Sequence, residues 1–130
     1  MPTILICDDS RVDRANLARI VSNAGFAVQT ADDGRAAIEQ VRRAPPALLF
    51  LDVNMPEMDG FAALRALRKD PRYVSMPVVM VSSKGQQADF VWARLQGANG
   101  YVVKPYTDAQ IQDQLAQHVA VTVAEPARSI

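Results

Sequence analysis

The stretch Leu48-Leu49-Phe50-Leu51-Asp52-Val53-Asn54-Met55-Pro56-Glu57-Met58-Asp59-Gly60 decides the fold. Leu48 to Leu51 is an unbroken apolar run, too short for a helix of its own. Such a run suits a strand buried on both faces, as in a parallel sheet. It stops at one carboxylate, Asp52. Met55-Pro56 cannot continue a strand, and Asp59-Gly60 is a turn pair. An acid just past the end of a buried strand either closes the strand as an Asx-turn or marks the edge where open α/β sheets place their ligands. This stretch alone leaves both readings open.

The rest of the chain repeats the pattern. Thr3 to Cys7 is a second buried run, followed by Asp8 and Asp9. Ser10 with Asp13 three residues on has the shape of a helix N-cap with an acid at its third position. Leu17, Ile20, Val21 and Ala24 share the next helix's apolar face, and Gly25 suits its left-handed end. Phe26 to Thr30 is a weaker, edge-like strand. Ala37, Ile38 and Val41 mark a second helix that ends before Pro45-Pro46, where Arg42 and Arg43 form a solvated end. Phe61, Leu64 and Leu67 give a third helix, stopping at Lys69-Asp70-Pro71. Val78 to Val81 is a third buried run, closed by Ser82-Ser83-Lys84-Gly85.

A fourth helix is expected from about Gln86 to Gln96, with Ala88, Val91 and Leu95 turned inward; Phe90 and Trp92, on opposite flanks of that face, either fold down as boundary core residues, the preferred reading, or leave at least one partly exposed as a partner surface. Gly100 to Val103 is the fifth strand, ending at Lys104-Pro105. The fifth helix follows Thr107-Asp108 and carries Ile111, Leu115 and either His118 or Val119 on its apolar face, with His118 in a structural role. Strand and helix thus alternate five times, which implies right-handed crossovers and a parallel sheet covered by helices on both faces.

Composition narrows the function. At 130 residues, about half of them apolar, the chain is one domain with a sizeable core. Its 14 basic and 14 acidic residues balance, so no electrostatic footprint for nucleic acid or an anionic membrane is present. The single cysteine, Cys7, excludes an intramolecular disulfide and a cysteine-based zinc site, and it reads as a small core hydrophobe. No run reaches transmembrane length and no signal-peptide pattern opens the chain, so a soluble cytoplasmic protein is expected. A single domain over 1–123 and a short tail over 124–130 complete the organisation. Neither a P-loop nor a dinucleotide fingerprint occurs.

The polar residues at the strand ends then converge. Asp8 and Asp9 follow the first strand, Asp52 the third, Ser82 the fourth and Lys104 the fifth. All lie at C-terminal ends, hence along one edge of the sheet. Three crowded carboxylates persist only with a cation among them or with some protonated. Hard oxygen donors that leave room for water suit Mg2+ better than zinc. A carboxylate nucleophile, a metal, a lysine and a hydroxyl donor are together the parts for phosphoryl transfer.

In Asp8-Asp9-Ser10, Asp52-Val53-Asn54-Met55-Pro56 with Asp59-Gly60, Val81-Ser82-Ser83 and Tyr101-Val102-Val103-Lys104-Pro105, the chain resembles the response-regulator receiver domains, in their stand-alone, chemotaxis-regulator-like form. The resemblance runs from residue 3 to about 120. Lys84 to Ala98 is also similar to single-domain regulators of type IV pilus twitching motility.

The resemblance implies a flavodoxin-like sheet of order 2-1-3-4-5 with five helices. It also implies a role in a two-component phosphorelay. Asp52 becomes the phospho-acceptor for a histidine kinase. Asp9, Asp52 and the backbone carbonyl of Asn54 bind Mg2+, and Asp8 acts mainly through water. Lys104 pairs with the acyl phosphate, Ser82 (where threonine is commoner) bonds a phosphoryl oxygen, and Tyr101 rotates inward. Pro105 follows a cis bond. Asn54 and Lys84 occupy positions that tune dephosphorylation, and Tyr106 stands where phenylalanine is frequent. The fourth helix, fifth strand and fifth helix form the readout face. The chain then acts on a partner in chemotaxis or pilus motility, or passes its phosphoryl group on, and is no enzyme beyond assisting its own phosphorylation and dephosphorylation. Two rivals remain: an Asp-nucleophile phosphatase, whose second acid is replaced here by Asn54, and a receiver that binds partners unphosphorylated.

Overall fold

The computed structural model describes residues 2–119. The boundary at 123 and the tail 124–130 lie outside them. Five strands, β1 (Thr3–Cys7), β2 (Ala27–Ala31), β3 (Leu48–Asp52), β4 (Val78–Ser82) and β5 (Gly100–Val103), alternate with α1 (Arg11–Asn23), α2 (Gly34–Arg43), α3 (Gly60–Arg68), α4 (Gln87–Leu95) and α5 (Asp108–His118). A 3-10 turn, Pro71–Tyr73, precedes β4. The strands are all parallel, in the order β2-β1-β3-β4-β5. The fold is the flavodoxin-like one expected.

Strand alternation sorts the core onto two faces. Leu5, Cys7, Leu49, Leu51, Val78 and Met80 pack against α2, α3 and Ala93 of α4. Ile4, Ile6, Leu48, Phe50, Val79 and Val81 pack against α1 and α5. Every residue of β3 and β4 is buried, which is why both read as unbroken apolar runs. β2 sits at the edge, one residue later than expected, and exposes Gln29 and Thr30.

Ser10 is the cap the sequence signals, and two turn acids, Asp33 and Asp59, cap the next two helices. Ser10 Oγ accepts from the Asp13 N–H at 3.2 Å, Asp33 Oδ1 from Ala36 N–H at 2.8 Å and Asp59 Oδ1 from Ala62 N–H at 2.9 Å. Gly25 takes a left-handed φ of 97°, as its place after α1 requires. Ala24 is the C-cap and is exposed, so the buried face of α1 ends at Val21. On α5, Ile111 and Leu115 are buried together with Val119, and His118 stands half-buried beside them.

α4 contradicts the expected facing. Ala88, Val91 and Leu95 are exposed, and Ala93 is its one buried residue. The observed facing goes with contacts that hold both ends of the helix. At the N-terminus the Gln86 N–H donates to Asp89 Oδ2 at 3.0 Å. At the C-terminus Gly97, at a left-handed φ of 105°, turns the chain so that the Ala98 N–H meets the Ala93 carbonyl at 3.0 Å. Arg68 of α3 grips the Gly97 carbonyl, at 3.0 Å, and Asn99 Oδ1, at 2.9 Å. Held this way, α4 lays its small Ala93 on the sheet and leaves its larger side chains outward. Phe90 and Trp92, 37% and 49% exposed, are not boundary core residues either. Each only rests an edge on a neighbouring ring, Phe90 on Tyr101 at 5.0 Å and Trp92 on Phe61 at 6.4 Å.

Gly60 fixes the β3–α3 turn against the sheet edge. Its N–H bonds the Val53 carbonyl at 2.9 Å, and a Cβ at this position would collide with the Asp52 backbone carbonyl. Gly60→Ala is therefore expected to cost about 1–3 kcal/mol and lower Tm by several degrees. Thermal unfolding followed by circular dichroism checks this; an unchanged Tm contradicts the close approach.

Candidate functional site

Four strand ends build one polar edge. β1 stops at Cys7 and delivers Asp8, which is 4% exposed and doubly engaged. Its Oδ1 accepts from the Ser10 N–H at 2.9 Å and its Oδ2 from Lys104 Nζ at 3.0 Å. Arg14 donates to its backbone carbonyl at 2.6 Å. Asp9 next to it is exposed. β3 ends in Asp52, also buried. One carboxylate oxygen from each of Asp8, Asp9 and Asp52 lies within 4.8 Å of the others.

β4 ends in the buried Ser82, whose Oγ accepts from the Lys84 N–H at 3.2 Å. β5 delivers Lys104, whose ammonium lies 3.1 Å from Asp52 Oδ1, 3.0 Å from Asp8 Oδ2 and 2.8 Å from Asp13 Oδ2. The Lys104–Pro105 bond is cis. Asp13, Asn16, Ser83, Lys104, Pro105 and Tyr106 line an open cleft of about 400 Å³ leading to this edge.

The electrostatics follow from crowding. Burial, then the neighbouring Asp8 charge, push Asp52 up to about 6, against the opposing pull of Lys104. Burial alone would lower Lys104, but its bonds to Asp13 and Asp8 and the charge of Asp52 raise it above the ordinary lysine value. Lys104 therefore stays charged, yet one ammonium does not balance the acids around it. Hard carboxylate oxygens, close together and partly open to water, fit a divalent cation of the Mg2+ type, which would relieve the repulsion that lifts Asp52.

Asp8, Asp9, Asp52, Ser82 and Lys104 thus meet along one edge, as the strand ends required. Asn54 is exposed in the loop after β3, and Met55 folds back so that the Cys7 thiol sits 3.6 Å from its sulfur. Cys7 is buried, and burial with nearby acids raises its thiol to about 12, consistent with a core role. Tyr101 lies further along, half-buried, with its hydroxyl donating to the Lys84 carbonyl at 2.8 Å. Sequence reading missed Asp13 as a partner of Lys104. It was visible only as a cap-position acid; that α1's first turn faces the end of β5 depends on the tertiary fold.

The family model described as the response regulator receiver domain matches residues 4–116. Protein PilH of Pseudomonas aeruginosa is 36% identical over 105 residues, covering 81% of this chain and 87% of that protein. The chemotaxis protein CheY of the same organism is 35% identical over 113 residues, covering 86% and 91%. The chemotaxis protein CheY4 of Vibrio cholerae superposes with a TM-score of 0.86 at 30% identity, covering 92% and 99%. The chain belongs to the response regulator receiver family, and within it to the CheY and PilH type. Receiver domains of this type are signalling proteins that meet histidine kinases and downstream protein targets. Among the described residues no helix is long and apolar enough to cross a membrane.

Asp52 has a stability consequence. A carboxylate raised from 3.8 to about 6 binds its proton more tightly in the folded than in the unfolded chain. The metal-free protein therefore loses stability as pH rises from about 4 to about 6 and stays penalised above that. Asp52→Asn removes this penalty. In EDTA at pH 7.5 it is expected to raise Tm by several degrees, for a gain on the order of 2 kcal/mol, with the gain shrinking toward pH 4. Thermal melts of both proteins across this range check it; an equal or lower Tm for Asp52→Asn at pH 7.5 contradicts the crowding.

Proposed function

We propose that this chain accepts a phosphoryl group on Asp52 from a histidine kinase, with Mg2+ bound among Asp8, Asp9, Asp52 and the Asn54 carbonyl, and signals through a protein partner. The observation that carries the reading is a buried strand-end carboxylate, Asp52, paired to Lys104 at 3.1 Å beside two further acids. An Asp52 oxygen attacks the phosphorus of a phosphohistidine. A P–O bond forms, the P–N bond breaks with its electron pair left on the imidazole nitrogen, and an acyl phosphate results. Mg2+, when bound, offsets the charge of the attacking carboxylate and the phosphoryl oxygens. Asp9 and Asp52 offer direct ligand oxygens. Asp8, with both oxygens already engaged, contributes through water. Lys104 holds a phosphoryl oxygen as a fixed cation, and the Ser82 hydroxyl donates to another.

The same edge connects to a surface. Ser82 bonds the backbone of Lys84, whose carbonyl holds the Tyr101 hydroxyl, and the Tyr101 ring meets Phe90 on α4. Drawing Ser82 toward a phosphoryl group loosens that series of contacts, lets Tyr101 turn inward and alters the face formed by α4, β5 and α5. Phosphorylation thereby biases a two-state surface rather than building a new one. The partner belongs to a chemotaxis or pilus-motility system, by likeness to the CheY and PilH relatives. The Asp-nucleophile phosphatase reading lacks a second acid, since position 54 is asparagine.

Incubation with Mg2+ and acetyl phosphate is expected to add one phosphoryl group by intact-mass spectrometry. The gain should vanish in EDTA and in Asp52→Asn. No gain in the wild type contradicts the function, and a gain that persists in Asp52→Asn contradicts the site.

A further inference from the structure

Lys104 has three ammonium hydrogens and three carboxylate partners. Two of those partners, Asp8 and Asp52, belong to the edge already described. The third, Asp13, comes from the first turn of α1 and holds the shortest bond, 2.8 Å against 3.0 and 3.1 Å. Asp13 is not needed there to cap its helix: the cap is the Ser10 hydroxyl, which receives the Asp13 backbone N–H and leaves the Asp13 carboxylate free to reach out. That carboxylate is 42% exposed and shares the wall of the open cleft with Lys104. Whatever anion enters by the cleft meets Asp13 and Lys104 side by side.

We propose that Asp13 is a positioning residue that competes with the incoming phosphoryl group for the Lys104 ammonium, and so weakens the site's hold on that group. This rests on the phosphoryl-accepting reading of Asp52. An acyl phosphate at Asp52 brings about −1.5 to −2 of charge to an edge already rich in acids. Lys104 hydrogen-bonds Asp8 and Asp13 and pairs with Asp52 at 3.1 Å, so it turns toward the new oxygens by loosening one of those contacts. The Asp13 bond is the one to yield, since it lies on the solvent side, whereas Asp8 and Asp52 are buried. Until it yields, Asp13 both occupies a donor and repels the anion.

Removing the charge has opposite effects on the two ligands of the edge. Without Asp13 the ammonium is more available to an anion, and one repelling charge is gone, so a phosphoryl group binds more tightly. A cation loses one attracting charge and faces an ammonium that leans further onto Asp8 and Asp52, so Mg2+ binds more weakly. A mere loosening of the fold weakens both.

The test measures Mg2+ binding by calorimetry, beryllofluoride binding at saturating Mg2+, and the rate of phosphorylation at subsaturating acetyl phosphate, for wild type, Asp13→Asn and Asp13→Glu. Asp13→Asn is expected to tighten beryllofluoride and quicken phosphorylation about three- to fivefold, as an exposed ion pair allows, while weakening Mg2+. Asp13→Glu keeps the charge and should stay near wild type. Beryllofluoride binding that is unchanged or weaker in Asp13→Asn overturns the proposal. So does a gain in Asp13→Glu equal to that in Asp13→Asn, because the carboxylate would then be irrelevant. A wild type that takes neither beryllofluoride nor a phosphoryl group instead overturns the assignment of Asp52 itself.

Discussion

A single ammonium, Lys104 Nζ, holds together an edge that would otherwise repel itself. It touches carboxylates from three separate places in the chain: Asp8 after β1, Asp13 in α1 and Asp52 at the end of β3. Like charges this close in a partly buried setting cost several kcal/mol without a counter-charge. The parallel sheet makes the arrangement possible, because every strand releases its last residue on the same side. β4 lies between the strands that carry Asp52 and Lys104, and it ends in the small Ser82. A long lysine side chain spans that gap, where a shorter cation would not.

The balance at this edge is incomplete by construction. Asp52 remains raised to about 6 despite its pairing with Lys104, so the folded protein holds a repulsion that a bound cation relieves. The hydrophobic sheet beneath sustains it: β3 and β4 are buried along their whole length, and that burial outweighs the repulsion at their ends. Stability is concentrated in the layers and spent at the edge. α4, with one buried residue, its C-terminal end gripped by Arg68 and its N-terminal side resting on Tyr101 through Phe90, is the element least tied to those layers. It is therefore the one best placed to respond.

Most of this was legible in the sequence because the signals were strong and local. Three buried runs and two weaker strand segments, each closed by a polar residue or a turn, fix the strand count and bring Asp8, Asp9, Asp52, Ser82 and Lys104 to one edge without any knowledge of contacts. The cap residue Ser10 reads correctly for the same reason, since capping is decided within four residues. What failed was non-local. The chain just past α4 is held by Arg68, 29 residues before Gly97, and the stripe Ala88, Val91, Leu95 faces outward. Asp13 looked like an ordinary first-turn acid because nothing in its neighbours announces that Lys104 lies 2.8 Å away. Periodicity says that a helix has a face; only packing says which way it turns.

The most direct test of the central claim is a crystal structure of the protein with Mg2+ and beryllofluoride. The account predicts beryllium on an Asp52 oxygen, Mg2+ beside it between Asp9 and Asp52, and Lys104 Nζ within hydrogen-bond distance of a fluoride. Beryllofluoride on another carboxylate, or on Asp52 with Lys104 turned away from it, would contradict the account.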